Sequence, residues 1–213
     1  DKSIKDLIRW QRNQKKPVLA SIEVSDEWRS IDLETSNNYM IWIGHSTFLI
    51  KKNNLTILTD PVFSNRASPF RRFGPKRLIP PSLTIEELPS IDVVTISHNH
   101  YDHLDIRSLK KLSKLNPDLI FLIPEGDIDI FNKRNISNVK EFNWWQDMLI
   151  DEFKFTFTPV QHWSARGLFD RNESLWGGWY IKTNNYSMYH AGDTGYSNDF
   201  IETNKRLGPP KYA

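Results

Sequence analysis

Cysteine is absent from the 213 residues. That excludes disulfides, thiolate metal sites and cysteine nucleophiles. It leaves the compartment open, because reducing and oxidising environments both tolerate cysteine-free chains. No window approaches the ~18 uninterrupted apolar residues of a membrane-spanning helix. The first residues, DKSIKDLIRWQRNQKK, carry neither an initiator Met nor an apolar signal core. A signal or anchor further upstream stays compatible with them, and the expected location is the cytoplasm or a membrane surface. Net charge is only +2, too little to point to nucleic acid as a partner. Acidic residues are missing altogether from 61–80, PVFSNRASPFRRFGPKRLIP, where Arg66, Arg71, Arg72, Lys76 and Arg77 stand together. Histidine is scarce as well: the chain has six, yet His98, His100 and His103 fall within six residues.

What is present is an ordinary globular balance, 38% hydrophobic and 25% charged, enough for a core in one domain of this length. Residues 3–16 have the spacing of a short amphipathic helix, and 17–38 are polar and irregular. Tyr39–Ile43, Thr47–Lys51 and Leu55–Thr59 are β-rich runs separated by Gly44 and Asn53-Asn54, as in an antiparallel meander. The proline-rich stretch 61–82 has little periodicity and is expected to be a long ordered loop. Then 90–97 (SIDVVTIS) predicts a buried strand and Ile106–Leu115 a helix stopped by Pro117. Residues 118–124 predict a second buried strand, 125–134 a helix start and 139–142 a further strand. MLIDEFKFTFTPVQH alternates at Phe153, Phe155 and Phe157, as a half-buried strand does. Residues 176–193 suggest two strands around an Asn-Asn turn and then a loop. Strands and helices alternate in the middle, with meanders on both sides, which favours a layered mixed α/β fold over an all-β sandwich.

The chemistry is concentrated in SHNHYDHLD, residues 97–105. On an extended continuation of the preceding strand, positions 98 and 100 project to one side, so His98 and His100 can share one cation. Asp102 and His103 follow just before a helix, where the chain turns and can swing them into the same pocket. Imidazole with carboxylate suits zinc or another first-row divalent ion. The ion in turn requires neutral His and ionised Asp.

The run H-x-H-x-D-H, here HNHYDH, resembles the signature of the metallo-β-lactamase fold of metallohydrolases. That resemblance implies an αβ/βα sandwich with a dinuclear metal site at one edge. It also implies a later His and a later Asp. PVQHW supplies His162 and HAGDTGYS supplies Asp193. Taken alone, His162 reads as a core histidine at a strand end and Asp193 as a loop residue; beside the motif both become candidate ligands. The resemblance implies one metal on His98, His100 and His162, and a second on Asp102 and His103, with Asp193 bridging. WIGHSTFLI, TDPVFSNRASP, GPKRLIPP, ISHNHYDHLD, QHWSARGLFDRNESLWGGW and AGDTGYS further resemble, in the same order, the N-acylphosphatidylethanolamine-hydrolysing phospholipase D branch. The family pattern places one more His on the second metal after the Asp193 loop, and none of the six histidines follows Asp193. The expectation is therefore a fragment: an extension at 1–38 and a metallo-β-lactamase-type domain at 39–213 lacking its C-terminal part. His190 and His45 are the less favoured substitutes for the missing ligand. His190 suits packing in a strand, and His45, in a GHST turn, suits a structural role or support of a ligand.

The implied reaction uses two zinc ions, or other divalent metals, roughly 3.5–4 Å apart to activate a hydroxide and polarise a phosphoryl or acyl oxygen. Asp102 and Asp193 would position it and accept protons. Asp60, in TDP, is either a carboxylate orienting a ligand His or a strand-end turn residue. Arg66, Arg71, Arg72, Lys76 and Arg77, with Arg166 as a weaker candidate, suit phosphate oxygens or an anionic membrane surface. They equally fit a solvated basic loop. Trp144, Trp145, Trp163, Trp176 and Trp179 could face an acyl chain or fill the core. Three readings stand: a zinc phosphodiesterase of phospholipase D type acting on N-acylphosphatidylethanolamine-like lipids, the same fold hydrolysing a lactone or soluble phosphodiester, and a metal-binding but inactive scaffold.

Overall fold

A computed structural model describes residues 4–13 and 27–213. The chain divides into two compact units, residues 1–31 and 32–213. In the first, helix α1 (Ile4–Asn13) and a 3₁₀ turn (Glu27–Ser30) are described. The irregular stretch expected at 17–38 lies outside the described residues as far as 26.

In the second unit the expected meander forms as β1 (Asn38–Gly44), β2 (Thr47–Lys52) and β3 (Leu55–Thr59), paired antiparallel. β1 alternates as an edge strand should, with Ile41 and Ile43 buried and Met40 and Trp42 exposed. β4 (Val93–Thr95), β5 (Ile120–Pro124) and β6 (Val139–Phe142) continue the sheet in parallel, in the order β1-β2-β3-β4-β5-β6. Parallel neighbours need crossovers, and helices supply them. Between β4 and β5 runs α2 (Ile106–Leu115), capped by Asp105, whose carboxylate accepts from Arg107 N at 3.2 Å; it buries Leu109 and Leu112. α3 (Ile128–Asn132) lays Phe131 against Phe121, ring centroids 5.6 Å apart. β3 and β4 are buried along their whole length, because the sheet is covered on both faces.

The second sheet is antiparallel, β10-β9-β8-β7, made of β7 (Asp147–Ile150), β8 (Phe153–Thr158), β9 (Gly178–Lys182) and β10 (Ser187–His190). MLIDEFKFTF is thus a hairpin instead of one long strand. Asp151 turns it at φ 50°, and β7 pairs with β8 from Asp147–Thr156 to Ile150–Phe153. After Lys154, β8 is buried on both faces, not half-buried. A helix not anticipated from the sequence, α4 (Asp199–Leu207), follows; its signals are the Glu202–Arg206 pair at i,i+4 and the stop at Gly208.

The two sheets share one core. Ile50, Ile57, Val93, Leu122 and Phe142 of the first meet Phe153, Phe155, Phe157, Trp179 and Ile181 of the second. Trp179 sits at the centre, with Phe142 and Phe157 at centroid distances of 5.0 and 4.9 Å. Its indole N–H is buried and donates to the Ile96 carbonyl at 2.8 Å. That bond ties the core to the end of β4, two residues before the histidine cluster begins at His98. Trp179→Ala removes a large packed ring and leaves the Ile96 carbonyl without its donor. It should lower unfolding stability by about 3–5 kcal/mol, read from urea denaturation against the parent chain.

Candidate metal centre

The site grows from the ends of β3 and β4. Asp60 follows β3 with φ 35° and is fully buried. Its N–H donates to the Thr95 carbonyl at 2.9 Å, and its own carbonyl accepts from Thr47 Oγ1 at 2.7 Å. The carboxylate therefore faces across to β4, accepting from Ser97 N at 2.7 Å and from Ser97 Oγ at 2.6 Å. Because the Ser97 hydroxyl gives its single proton to Asp60, it must accept from His98 Nδ1, 2.9 Å away. The lone pair of His98 is thereby placed on Nε2. The same carboxylate takes the Nδ1 proton of His103 at 2.8 Å. One buried group sets the orientation of two imidazoles.

Beyond Ser97 the chain turns: His103 N and Leu104 N both donate to the His100 carbonyl, at 3.1 and 2.8 Å. His98 and His100 converge as their alternation implied. His98 Nε2 lies 2.9 Å from His100 Nδ1 and 3.1 Å from His162 Nε2, and His162 Nε2 lies 3.3 Å from His100 Nδ1. His162 arrives from the segment after β8, with Trp163 stacked edge-on to His100 at 4.4 Å. Asp193 arrives from the loop after β10. There Gly192 has φ 61°, and a Cβ on it would stand 2.5 Å from the Ser97 Cβ, so only glycine lets the loop close onto β4. Asp193 Oδ1 is 3.3 Å from His103 Nε2, and Oδ2 is 4.0 Å from His162 Nε2. His45 brings Nε2 to 3.3 Å from His103 Nε2 and 3.4 Å from Asp102 Oδ2. His190 lies apart from these donors, buried, with Nε2 3.2 Å from the Ser46 carbonyl and 3.9 Å from Asp60.

These residues make three overlapping groups able to hold a cation: His98, His100 and His162; His45, Asp102 and His103; and His98, His103 and Asp193. The donor chemistry fits. Ligand atoms about 2.0–2.1 Å from a tetrahedral ion stand roughly 3.3 Å apart, close to the spacing of the three imidazole nitrogens. Three lone-pair-bearing rings this near one another cannot all be satisfied by a single proton each, and the buried His100 Nε2 has no partner among the described residues. Burial pushes the His98 imidazole far down, with neighbouring His charges adding to it, and pushes His100 down to about 4. His162 is lowered by the same desolvation. These rings are held neutral, as metal ligands must be. For His103 burial acts downward too, but the hydrogen bonds to Asp193 and Asp60 outweigh it and raise the ring to about 10. The hydrogen bond from His103 in turn lowers Asp193. A cation among these groups would take the place of the His103 Nε2 proton.

Sequence reasoning left several supporting residues unassigned. Asn99 Nδ2 donates to the buried Asp127 at 3.0 Å and to Ser174 Oγ at 3.3 Å. The Arg166 guanidinium, expected to face substrate phosphate, instead sends Nη1 to the carbonyls of Asn99 and Leu104, at 2.6 and 2.9 Å, and stacks over Tyr101 at 4.1 Å. Its backbone N–H and that of Gly167 are held by Asp170. Arg166 is thus a brace on the ligand loop; only its neighbourhood to His162 hinted at this. In the basic loop, Arg66 donates to the Gly74 carbonyl and Arg77 to the Val62 carbonyl. Those two fasten the loop, while Arg71, Arg72 and Lys76 are exposed. Of the tryptophans, Trp179 is core, Trp144 and Trp176 donate to the carbonyls of Trp176 and Val160, and Arg206 lies over Trp145. Trp163 packs edge-on to His100, and Trp42 Nε1 donates to the His45 carbonyl at 2.8 Å.

Two layered sheets with imidazoles and carboxylates converging at strand ends define a metal-dependent hydrolase of the β-lactamase fold. The chain belongs to the beta-lactamase superfamily, whose domain matches residues 55–213. It is 36% identical over 184 residues to the N-acyl-phosphatidylethanolamine-hydrolyzing phospholipase D 1 of Caenorhabditis elegans, covering 82% of this chain and 52% of that protein. It is also 36% identical over 176 residues to the mitochondrial N-acyl-phosphatidylethanolamine-hydrolyzing phospholipase D of Saccharomyces cerevisiae, covering 80% and 37%. The chain thus spans about half or less of the length of these relatives. Among solved structures it superposes on Igni18, a metallo hydrolase from Ignicoccus hospitalis, with TM-score 0.60 and 22% identity over 81% of this chain and 67% of that one.

Two measurements test the supporting groups. Asp60→Asn takes the acceptor from Ser97 and His103, and should weaken metal binding by about 10–100-fold, followed by competition with a chromophoric chelator. Asp127 is pushed up by burial from 3.8 to about 6. Below its unfolded pKa it is protonated in both states. As pH rises towards 6 the unfolded chain ionises first, so the folded state loses stability, by on the order of 3 kcal/mol at pH 7. Asp127→Asn should lack this contribution, and the stability difference between the two proteins should shift in the variant's favour between pH 4 and pH 7 in chemical denaturation.

Proposed function

We propose that the chain carries the site of a dinuclear zinc phosphodiesterase of phospholipase D type, acting on N-acylphosphatidylethanolamine-like lipids. The observation that carries this reading is a cavity of about 300 Å³ beside the candidate metal groups. Its walls include Trp42, Val62, Leu78 and Ile79, which suit an acyl chain, and Lys76 and Arg77, which suit a phosphate; His45 and Asp102 close its end. One cavity thus brings together an apolar wall, two cations and a candidate metal-binding carboxylate, the three kinds of group that a lipid's chain, its phosphodiester and the scissile bond call for. The printed activities of the worm and yeast relatives support the same substrate class.

His98, His100 and His162 would hold one ion and Asp102 and His103 the other, with His45 grouped beside the second pair and Asp193 within reach of both sets. When bound, two such ions lower the pKa of a water and polarise the phosphoryl oxygen. The protein's own part is to hold neutral imidazoles in place and to move protons. Asp102 and Asp193 are each a little over 40% exposed, so their carboxylates open towards substrate while His98 and His103 are buried. They would take the proton of the attacking water and return it to the leaving alcohol oxygen. The P–O bond to the N-acylethanolamine breaks, and a phosphatidic acid remains. The exposed Phe70 and Phe73, at 64% and 72%, flank Arg71 and Arg72 at the tip of the basic loop, an arrangement suited to peripheral contact with an anionic bilayer.

Asp102→Ala should lower phosphodiester hydrolysis more than a hundredfold and reduce the metal content towards one ion per chain, read by elemental analysis of the folded variant. A parent protein that opens lactones but leaves N-acylphosphatidylethanolamine and simpler phosphodiesters intact would overturn the substrate assignment and leave the metal centre standing.

A further inference from the structure

A second cavity lies against the ligand loop without touching any candidate ligand. It measures about 350 Å³ and is bordered by Tyr101, Leu104 and Asp105 of the loop, Arg107 of α2, Lys133 and Arg134 after α3, and Arg166. We propose that this cavity binds a phosphate-bearing anion at a site separate from the metal centre.

Its charge is the first argument. Four cations face one acid, and Asp105 is already occupied: it accepts from Ser64 N at 3.0 Å, Ser108 Oγ at 2.6 Å and Arg107 N at 3.2 Å. None of the four cations forms an ion pair among the described residues. Arg107 donates to the Pro69 carbonyl, Arg134 to the Lys133 carbonyl, and Arg166 to those of Asn99 and Leu104. Carbonyls orient a guanidinium but do not neutralise it, and around Arg166 the carboxylates of Asp127, Asp105 and Asp170 act from beyond ion-pair distance. Like charges gathered around one concavity repel unless an anion enters, and a phosphate dianion, with its several acceptor oxygens, matches forked guanidinium donors best. The second argument is placement. Arg166 is mostly buried, and desolvation lowers its pKa. Its Nη1 is spent on the two carbonyls, while Nη2 and Nε take no partner among the described residues and remain for a ligand. The third is connection. Asn99 stands between His98 and His100, and Leu104 follows His103, so the residue that would grip the anion also grips the backbone within the ligand run and just after it.

The same chemistry could arrive as a soluble phosphate monoester or as the headgroup of phosphatidic acid. The test titrates the full metal-loaded chain with glycerol 3-phosphate by calorimetry, and in parallel sediments it with phosphatidylcholine vesicles with and without phosphatidic acid. The variant carries Lys133→Gln and Arg134→Gln; a charge-matched control carries Lys110→Gln and Lys114→Gln on the exposed side of α2. The expected result is at least about tenfold weaker binding in the first variant, with metal content unchanged and the control like the parent. Loss confined to glycerol 3-phosphate assigns a soluble ligand, and loss confined to vesicles assigns the headgroup. Equal binding by parent and variant in both arms overturns the site, as does equal weakening by the control, which would make the effect one of net charge.

Discussion

The contact between Asp60 and Ser97 holds the rest of this centre in place. A buried carboxylate is costly unless each oxygen is engaged, and here the backbone N–H of Ser97, its hydroxyl and the Nδ1 proton of His103 all converge on it. The same contact locks β3 to the end of β4. It decides which nitrogen of His98 and which of His103 is left free, and it does so before any cation arrives. Trp179 holds that strand end from the other side through the Ile96 carbonyl. The histidines therefore hang from a point anchored by the core on one face and by a buried charge on the other.

Much of this was legible in the sequence because it is local. The meander of β1–β3, the helix at Ile106–Leu115 and the convergence of His98 with His100 follow from alternation and spacing over a few residues. Asp60 was legible only as a choice between two roles, since nothing near TDP reveals that Ser97 and His103 will stand opposite it. The β7–β8 hairpin was hidden because Asp151-Glu152 lacks the glycine that usually marks a tight turn. Arg166 was legible only in part. A guanidinium near a metal motif suits an anion, and only the fold shows two backbone carbonyls reaching it first. His45 illustrates the opposite case: its turn suggested support, and the structure sets its nitrogen beside Asp102 and His103.

The basic, acid-free loop also separates into parts once folded. Arg66 and Arg77 spend donors on the loop's own backbone, which gives a long segment without regular structure a defined course. Lys76 lines the cavity next to the metal groups, and Arg71 and Arg72 reach solvent between two exposed phenylalanines. Composition showed one cluster of charge where the fold makes a fastening, a wall and a tip.

Gly192 rests against Ser97 with no room for a single methyl group. The backbone of the stretch that brings Asp193 is therefore pressed against the short Ser97 side chain at the head of the His98–His103 run, at a distance set by atomic radii. Neither stretch can drift without the other, so the spacing between Asp193 and the His98–His103 run behaves as a fixed dimension of the scaffold. Changes of substrate in such a protein would have to come from the cavity walls, where substitutions at residues such as Trp42 and Leu78 would leave that gauge unaltered.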